Sequence, residues 1–111
     1  MYKMVILFEQ PLEESLFQKN WQIFMGMAEK MPRLRREVVS RIDQLVYSKE
    51  GKHYYRIHEL IFDSRDALEI ALRSQPGKAS GNFLQEFTRG RVLIFTSEHQ
   101  EADEKDFKED S

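Results

Sequence analysis

The sequence predicts an α+β domain built on an antiparallel sheet, and three observations carry the prediction. Residues 54–72 change hydrophobic period midway: Tyr54 to Phe62 is rich in aromatic and β-branched side chains, which suit a half-buried strand, and from Ala67 the apolar residues Ala67, Leu68, Ala71 and Leu72 fall on one helix face. Asp63 and Ser64 stand at the join, where either side-chain oxygen can cap the first helical turn, and Asp66 complements the positive end of the helix dipole. Short apolar runs at Met1–Phe8 and Arg91–Thr96 then supply a first and a last strand.

The elements follow in order. Pro11 closes the first strand, and Glu13 and Glu14 place negative charge where a helix begins, with helical spacing in Leu16, Phe17, Trp21, Phe24, Ala28 and Met31. Residues 23–28 are apolar nearly all round, more than a helix on one sheet needs, so a second contact is expected there: a helix, a partner subunit or a ligand. Pro32 stops this helix. Leu34 to Tyr47 fits either period, and the cluster Val38, Val39, Ile42 and Val46 favours a strand that turns through Ser48–Lys52 into the Tyr54 strand. Gln75–Asn82 is the Gly/Pro-rich stretch and predicts a loop, with Asn82 capping a short turn that carries Phe83, Leu84 and Phe87. Arg91–Thr96 is apolar enough to expect cover on both faces. Residues 98–111 are acidic and lack apolar surface to offset ordering entropy, so a domain over 1–97 with a disordered tail is expected.

The order β-α-β-β-α-β corresponds to the ferredoxin-like split βαβ arrangement, an antiparallel sheet with two helices on one face. The other face has no cover within the chain, and a second copy is the simplest one.

Composition narrows the function classes. One domain fits in 111 residues, with a formal net charge of −2 that disfavours a general nucleic-acid binder. The absence of cysteine excludes disulfides and thiolate metal sites and points to a reducing cytoplasm. The apolar run at Met1–Phe8 is too short to span a membrane and lacks a signal peptide's cleavage region.

Helix-one residues Phe17 and Trp21, then Met31-Pro32-Arg33-Leu34-Arg35-Arg36, then Glu59-Leu60-Ile61-Phe62-Asp63-Ser64 with Ala67, Leu68, Ala71, Leu72, Ser74 and Gly77, and finally Phe87 with Arg91–Phe95, resemble the EthD (ethyl tert-butyl ether degradation) family. The resemblance runs from the first strand to the last and leaves out the acidic tail. It implies a dimeric α+β barrel, in which two ferredoxin-like sheets meet back to back. Relatives of that fold include cofactor-free monooxygenases, polyketide cyclases, muconolactone isomerases and some haem proteins. Many members carry a His and then a Pro shortly after the helix-one tryptophan; here Gln22–Met27 contains neither.

His58 is the leading candidate for chemistry, because imidazole titrates near neutrality and the residue sits mid-strand among aromatic neighbours. Alternation places Tyr54, Arg56, His58, Leu60 and Phe62 on the helix side, with His58 as base and Tyr54 or Arg56 steadying an enolate. Trp21, Phe24, Met25 and Glu59 are the candidate pocket-lining residues, with Met27 as a further one. Alternation nevertheless turns Glu59 to the opposite face, where a salt bridge across the dimer is expected. Arg33, Arg35, Arg36 and Arg41 form the basic cluster, read as a strand edge or dimer ion pairs. His53 and His58 are spaced for opposite faces, so no metal is expected, and no cofactor is assigned. Three functions stay open: a cofactor-independent oxygenase, cyclase or isomerase acting on a small hydrophobic or aromatic metabolite; a non-catalytic accessory binding protein; and a structural dimer.

Overall fold

The computed structural model describes residues 1–51 and 53–108. The chain runs β1 (Tyr2–Glu9), α1 (Glu14–Ala28), β2 (Arg36–Arg41), β3 (Tyr54–Phe62), α2 (Arg65–Arg73), α3 (Gln75–Thr88), β4 (Val92–Glu98) and a terminal turn α4 (Glu104–Phe107). The strands form one sheet in the order β2-β3-β1-β4, every neighbouring pair antiparallel. This is the ferredoxin-like α+β arrangement expected from the sequence. Among the described residues no helix is long and apolar enough to cross a membrane.

Strand register decides which side chains meet the helices. Ile6 pairs with His58 and with Ile94, and Phe8 pairs with Arg56 and with Val92, so these residues share one face. There Ile6, Phe8, Leu60 and Phe62 join Phe17 and Phe24 of α1, Ala67, Leu68 and Ala71 of α2 and Leu84 of α3 in one core cluster. Each large apolar side chain so enclosed contributes about 2 kcal/mol. The other face takes Val5, Leu7, Ile57, Ile61, Val38, Leu93 and Phe95 by the same register, opposite the core that α1, α2 and α3 build on the first face. Leu93 and Phe95 are 47% and 42% exposed, so within one chain β4 lacks the cover expected on both faces.

Several boundaries differ from the expectations. The helix join holds: Ser64, not Asp63, caps α2 by accepting from the Ala67 amide. β2 ends at Arg41, with Ile42 adding one last bond to the Tyr55 carbonyl. Beyond it Leu45, Val46 and Tyr47 are exposed, because no strand stands opposite to give a β-branched run its ladder. Lys52, at the end of the expected hairpin turn, lies outside the described residues.

The expected loop at Gln75–Asn82 is instead the first half of α3. Ser74 closes α2 and opens α3: its hydroxyl donates to the Ala71 carbonyl and accepts from the Gly77 amide. Pro76 sits in the first turn, where its missing N–H costs nothing. Asn82 is therefore inside a helix and caps nothing.

β4 reaches Glu98, and His99 adds a bond from its amide to the Met1 carbonyl, so the ordered sheet extends past the expected boundary at 97. The turn Glu104–Phe107 has no buried residue. The last three residues of the expected tail, 109–111, lie outside the described residues. Removing residues 101–111 should change stability by less than about 0.5 kcal/mol, as for surface changes that touch no core position. Urea unfolding of the truncated chain checks this, and a larger loss would mean that the segment docks.

Candidate functional site

The site is assembled where α1 crosses β3. Glu14, Gln18, Trp21 and Met25 recur at helical spacing along one stripe of α1, and Arg56 and His58 rise toward it from β3. Four of these groups are polar, Glu14, Gln18, Arg56 and His58, and the last two come from a strand interior, so burying them requires partners.

His58 has no solvent exposure and both of its ring nitrogens are occupied. The Trp21 indole Nε1–H donates to His58 Nδ1 at 3.2 Å. Because an indole can only donate, Nδ1 carries the lone pair and the ring proton sits on Nε2. That Nε2–H donates to Glu37 Oε2 at 2.7 Å, from the neighbouring strand β2. Trp21 and Phe24 both meet the ring edge-on, at centroid distances of 5.8 and 5.6 Å. Burial pushes the imidazole pKa down to about 4; Glu29 pulls it up and Arg56 adds to the fall. The ring is therefore neutral at pH 7, with its tautomer fixed from both sides.

Glu37 connects this ring to the surface. Glu29, at the C-cap of α1, has its carboxyl pKa raised, chiefly by a hydrogen bond with Glu37 and then by burial. His58, Glu37 and Glu29 thus form a row of polar groups that starts in the core and ends on an exposed residue.

Arg56 is equally unusual. It is 8% exposed, its guanidinium carbon lies 4.1 Å from the centre of the Trp21 ring, and Nη1 donates to Gln18 Oε1 at 3.1 Å. Gln18 in turn donates to the Tyr55 hydroxyl, which donates to Glu14 Oε1. The tie to Glu14 and burial together raise the Tyr55 pKa, burial being the larger cause.

The expected site residues fall as follows. His58 and Arg56 are on the helix side, as alternation requires. Tyr55, expected on the opposite face, reaches α1: the register slips between Phe8 and Glu9, which pairs Phe8 with Arg56 but Glu9 with Tyr54, so Tyr55 is an extra residue in β3. Strict alternation fails at such a bulge, and Tyr55 packs edge-on against Phe17 at 5.3 Å. Phe24 is core, and Trp21 and Met25 are half-buried. Glu59 lies on the helix-free face and pairs with Lys3 of the same chain at 2.6 Å. Of the basic cluster, Arg35 pairs within the chain, to Asp63 at 2.8 Å. Glu37, Gln18, Tyr55, Glu14 and Glu29 escaped sequence reasoning. The spacing of Glu14, Gln18 and Trp21 could have found two of them; Glu37 needed the β2–β3 register. Among the described residues no group of three or more His, Asp or Glu could hold a metal ion.

A separate cleft of about 240 Å³ opens at the other side of α1, between Leu12, Leu16 and Phe17 and the end of α3 at Phe87 and Arg89.

No family model matches the sequence, and no curated protein does. Solved structures do. An EthD family protein from Bacillus halodurans superposes with a TM-score of 0.79 at 29% identity, covering 90% of this chain and 99% of that one. A dimeric ferredoxin-like protein of unknown function from Jannaschia gives 0.62 at 16% identity over 89% and 100%. SnoaB, a cofactor-independent oxygenase from Streptomyces nogalater, gives 0.61 at 11% identity over 94% and 96%. At such low identity the last two speak to the fold alone. The chain has the ferredoxin-like α+β fold, and the EthD resemblance read from its residues extends through the structure over nearly the whole of both chains.

Proposed function

We propose that this protein is an EthD-like homodimer that binds a small hydrophobic or aromatic metabolite on the helix side of its sheet and moves a proton on it through His58. The observation that carries this reading is the fixed, neutral imidazole between Trp21 and Glu37. A core that needed only stability would place an apolar residue there, since burying an imidazole lowers its pKa and costs free energy. A ligand that draws away the Trp21 N–H exposes the Nδ1 lone pair to an acidic proton. Glu37 then steadies the imidazolium that forms, and Glu29 beside it leads from that carboxylate toward solvent.

The dimer reading rests on the helix-free face, where Leu93 and Phe95 are left open, and on dimeric relatives of the same fold. A stable dimer of this kind buries about 2,000 Å² or more. Light scattering at micromolar concentration should give a dimer, and Phe95→Arg should give a monomer. A monomeric wild type would end that part of the proposal.

The complete enclosure of His58 favours a second reading, binding without conversion, in which the array only shapes the site. Titration with 2-naphthol, 2-naphthoate and 2-naphthamide tests both. His58→Gln should weaken at least one of these about tenfold or more while leaving a folded dimer. Unchanged binding of every probe that the wild type binds would remove His58 from the site.

A further inference from the structure

Among the described residues, Arg56 is a buried cation without an ion-pair partner. Its one side-chain hydrogen bond goes to a neutral amide oxygen, of Gln18. The carboxylate of Glu14 is tied to Tyr55, and that of Glu37 to His58. Stacking on Trp21 returns about 2 kcal/mol at a desolvated site, against several kcal/mol for taking an ion out of water. A guanidinium has five donors, and four of them remain for something else.

The surroundings show what that is. Val39 pairs with His58 and Arg41 with Arg56, which sets Val39 on the helix side of β2 beside the arginine. Val39 is 40% exposed, so no helix closes over it. Trp21 and Met25, four residues apart on α1, stand half-buried along the same margin. This is an apolar shelf with an arginine at its inner end.

We infer that the site takes a small aromatic anion, its ring on the shelf of Val39, Trp21 and Met25 and its carboxylate or phenolate on the guanidinium of Arg56. The inference rests on the small-molecule reading above and narrows it to ligands that bring the missing negative charge. The planar fork of arginine matches a carboxylate with two parallel hydrogen bonds.

The chain has a single tryptophan, so the indole N–H resonance of Trp21 reports this site alone. Titration with 2-naphthoate and with its neutral isostere 2-naphthamide should shift that resonance at concentrations about tenfold apart, the anion binding tighter. Arg56→Gln should abolish the preference and leave naphthamide affinity within about twofold, while Arg56→Lys, which keeps the charge and needs the least repacking, should retain a preference reduced by about threefold. Equal affinity of the two probes for the wild type overturns the anion inference and leaves the small-molecule reading standing. So does a preference that survives in Arg56→Gln. If neither probe moves the indole signal while the protein is a folded dimer, both the inference and the reading beneath it fall.

Discussion

Replacing Gly77 with alanine should destabilise the protein by about 3 kcal/mol or more, while the same change at Gly81, four residues along α3, should stabilise it by about 0.5–1 kcal/mol. The two glycines share a helix and differ in what surrounds them. A Cβ on Gly77 would collide with the Ala71 carbonyl oxygen and lie 2.8 Å from that of Leu72 and 2.9 Å from the Leu72 Cα. All three are backbone atoms at the end of α2, so no side chain can turn aside to make room. A Cβ on Gly81 meets nothing within 4 Å. The close approach exists because Ser74 alone joins the two helices, serving both caps, so that α3 starts against the last turn of α2. Prying them apart would disturb Ala67, Leu68 and Ala71, which α2 contributes to the core. Thermal unfolding of the two variants at one protomer concentration reads the difference, with Tm shifts of opposite sign. A mild effect at Gly77 would mean that α2 and α3 adjust independently of the sheet.

The same junction shows where reading the chain alone stops. Gln75-Pro76-Gly77 carries the residues of a loop, but with Ser74 before it the tripeptide equally fits a capped helix start, with proline where a missing amide is harmless. What separates the two is a contact with α2, which local composition does not contain. The strand faces were legible for the opposite reason: alternation is local, and it held for Arg56, His58, Leu60 and Phe62. It broke only at Tyr55, where a bulge adds one residue and the partner strand sets its position. β2 was overextended because Val46 and Tyr47 have strand-like side chains and no strand to pair with. At the candidate site, His58 and Trp21 were legible as residue types, but their bond was not. Glu37 was illegible because 12 residues separate the paired ends of β2 and β3, and the register across such a gap follows from packing.

Lowering the pH from 7 to about 4.5 should cost the wild type about 2–3 kcal/mol of stability through His58, and this pH-dependent loss should be absent in His58→Gln. In the unfolded chain the imidazole titrates near its ordinary 6.5, whereas in the native state burial holds it at about 4. Between those values the unfolded chain binds the proton and the native protein does not, so stability rises with pH across the window and is lost on acidification. Above pH 6.5 both states are neutral and the slope from this group vanishes. Glu29 acts in the opposite direction: its raised carboxyl pKa lets the native state take up a proton before the unfolded chain does, so acidification favours folding at that residue and offsets part of the loss. Breaking the link through Glu37→Gln should separate the two, because it removes the negative charge that faces the His58 Nε2–H and the carboxyl partner that raises Glu29. Urea midpoints measured at pH 7 and 4.5 for wild type, His58→Gln and Glu37→Gln give the comparison. His58→Gln should start from a lower stability at pH 7, since the amide cannot restore both ring hydrogen bonds, yet lose less on acidification than the wild type. Parallel pH slopes for wild type and His58→Gln would show that the native imidazole takes up its proton over the same pH range as the unfolded chain, and so is charged on acidification in both. Nδ1 would then carry a proton and could not accept from Trp21, and the proton-transfer reading of the site would fail with it.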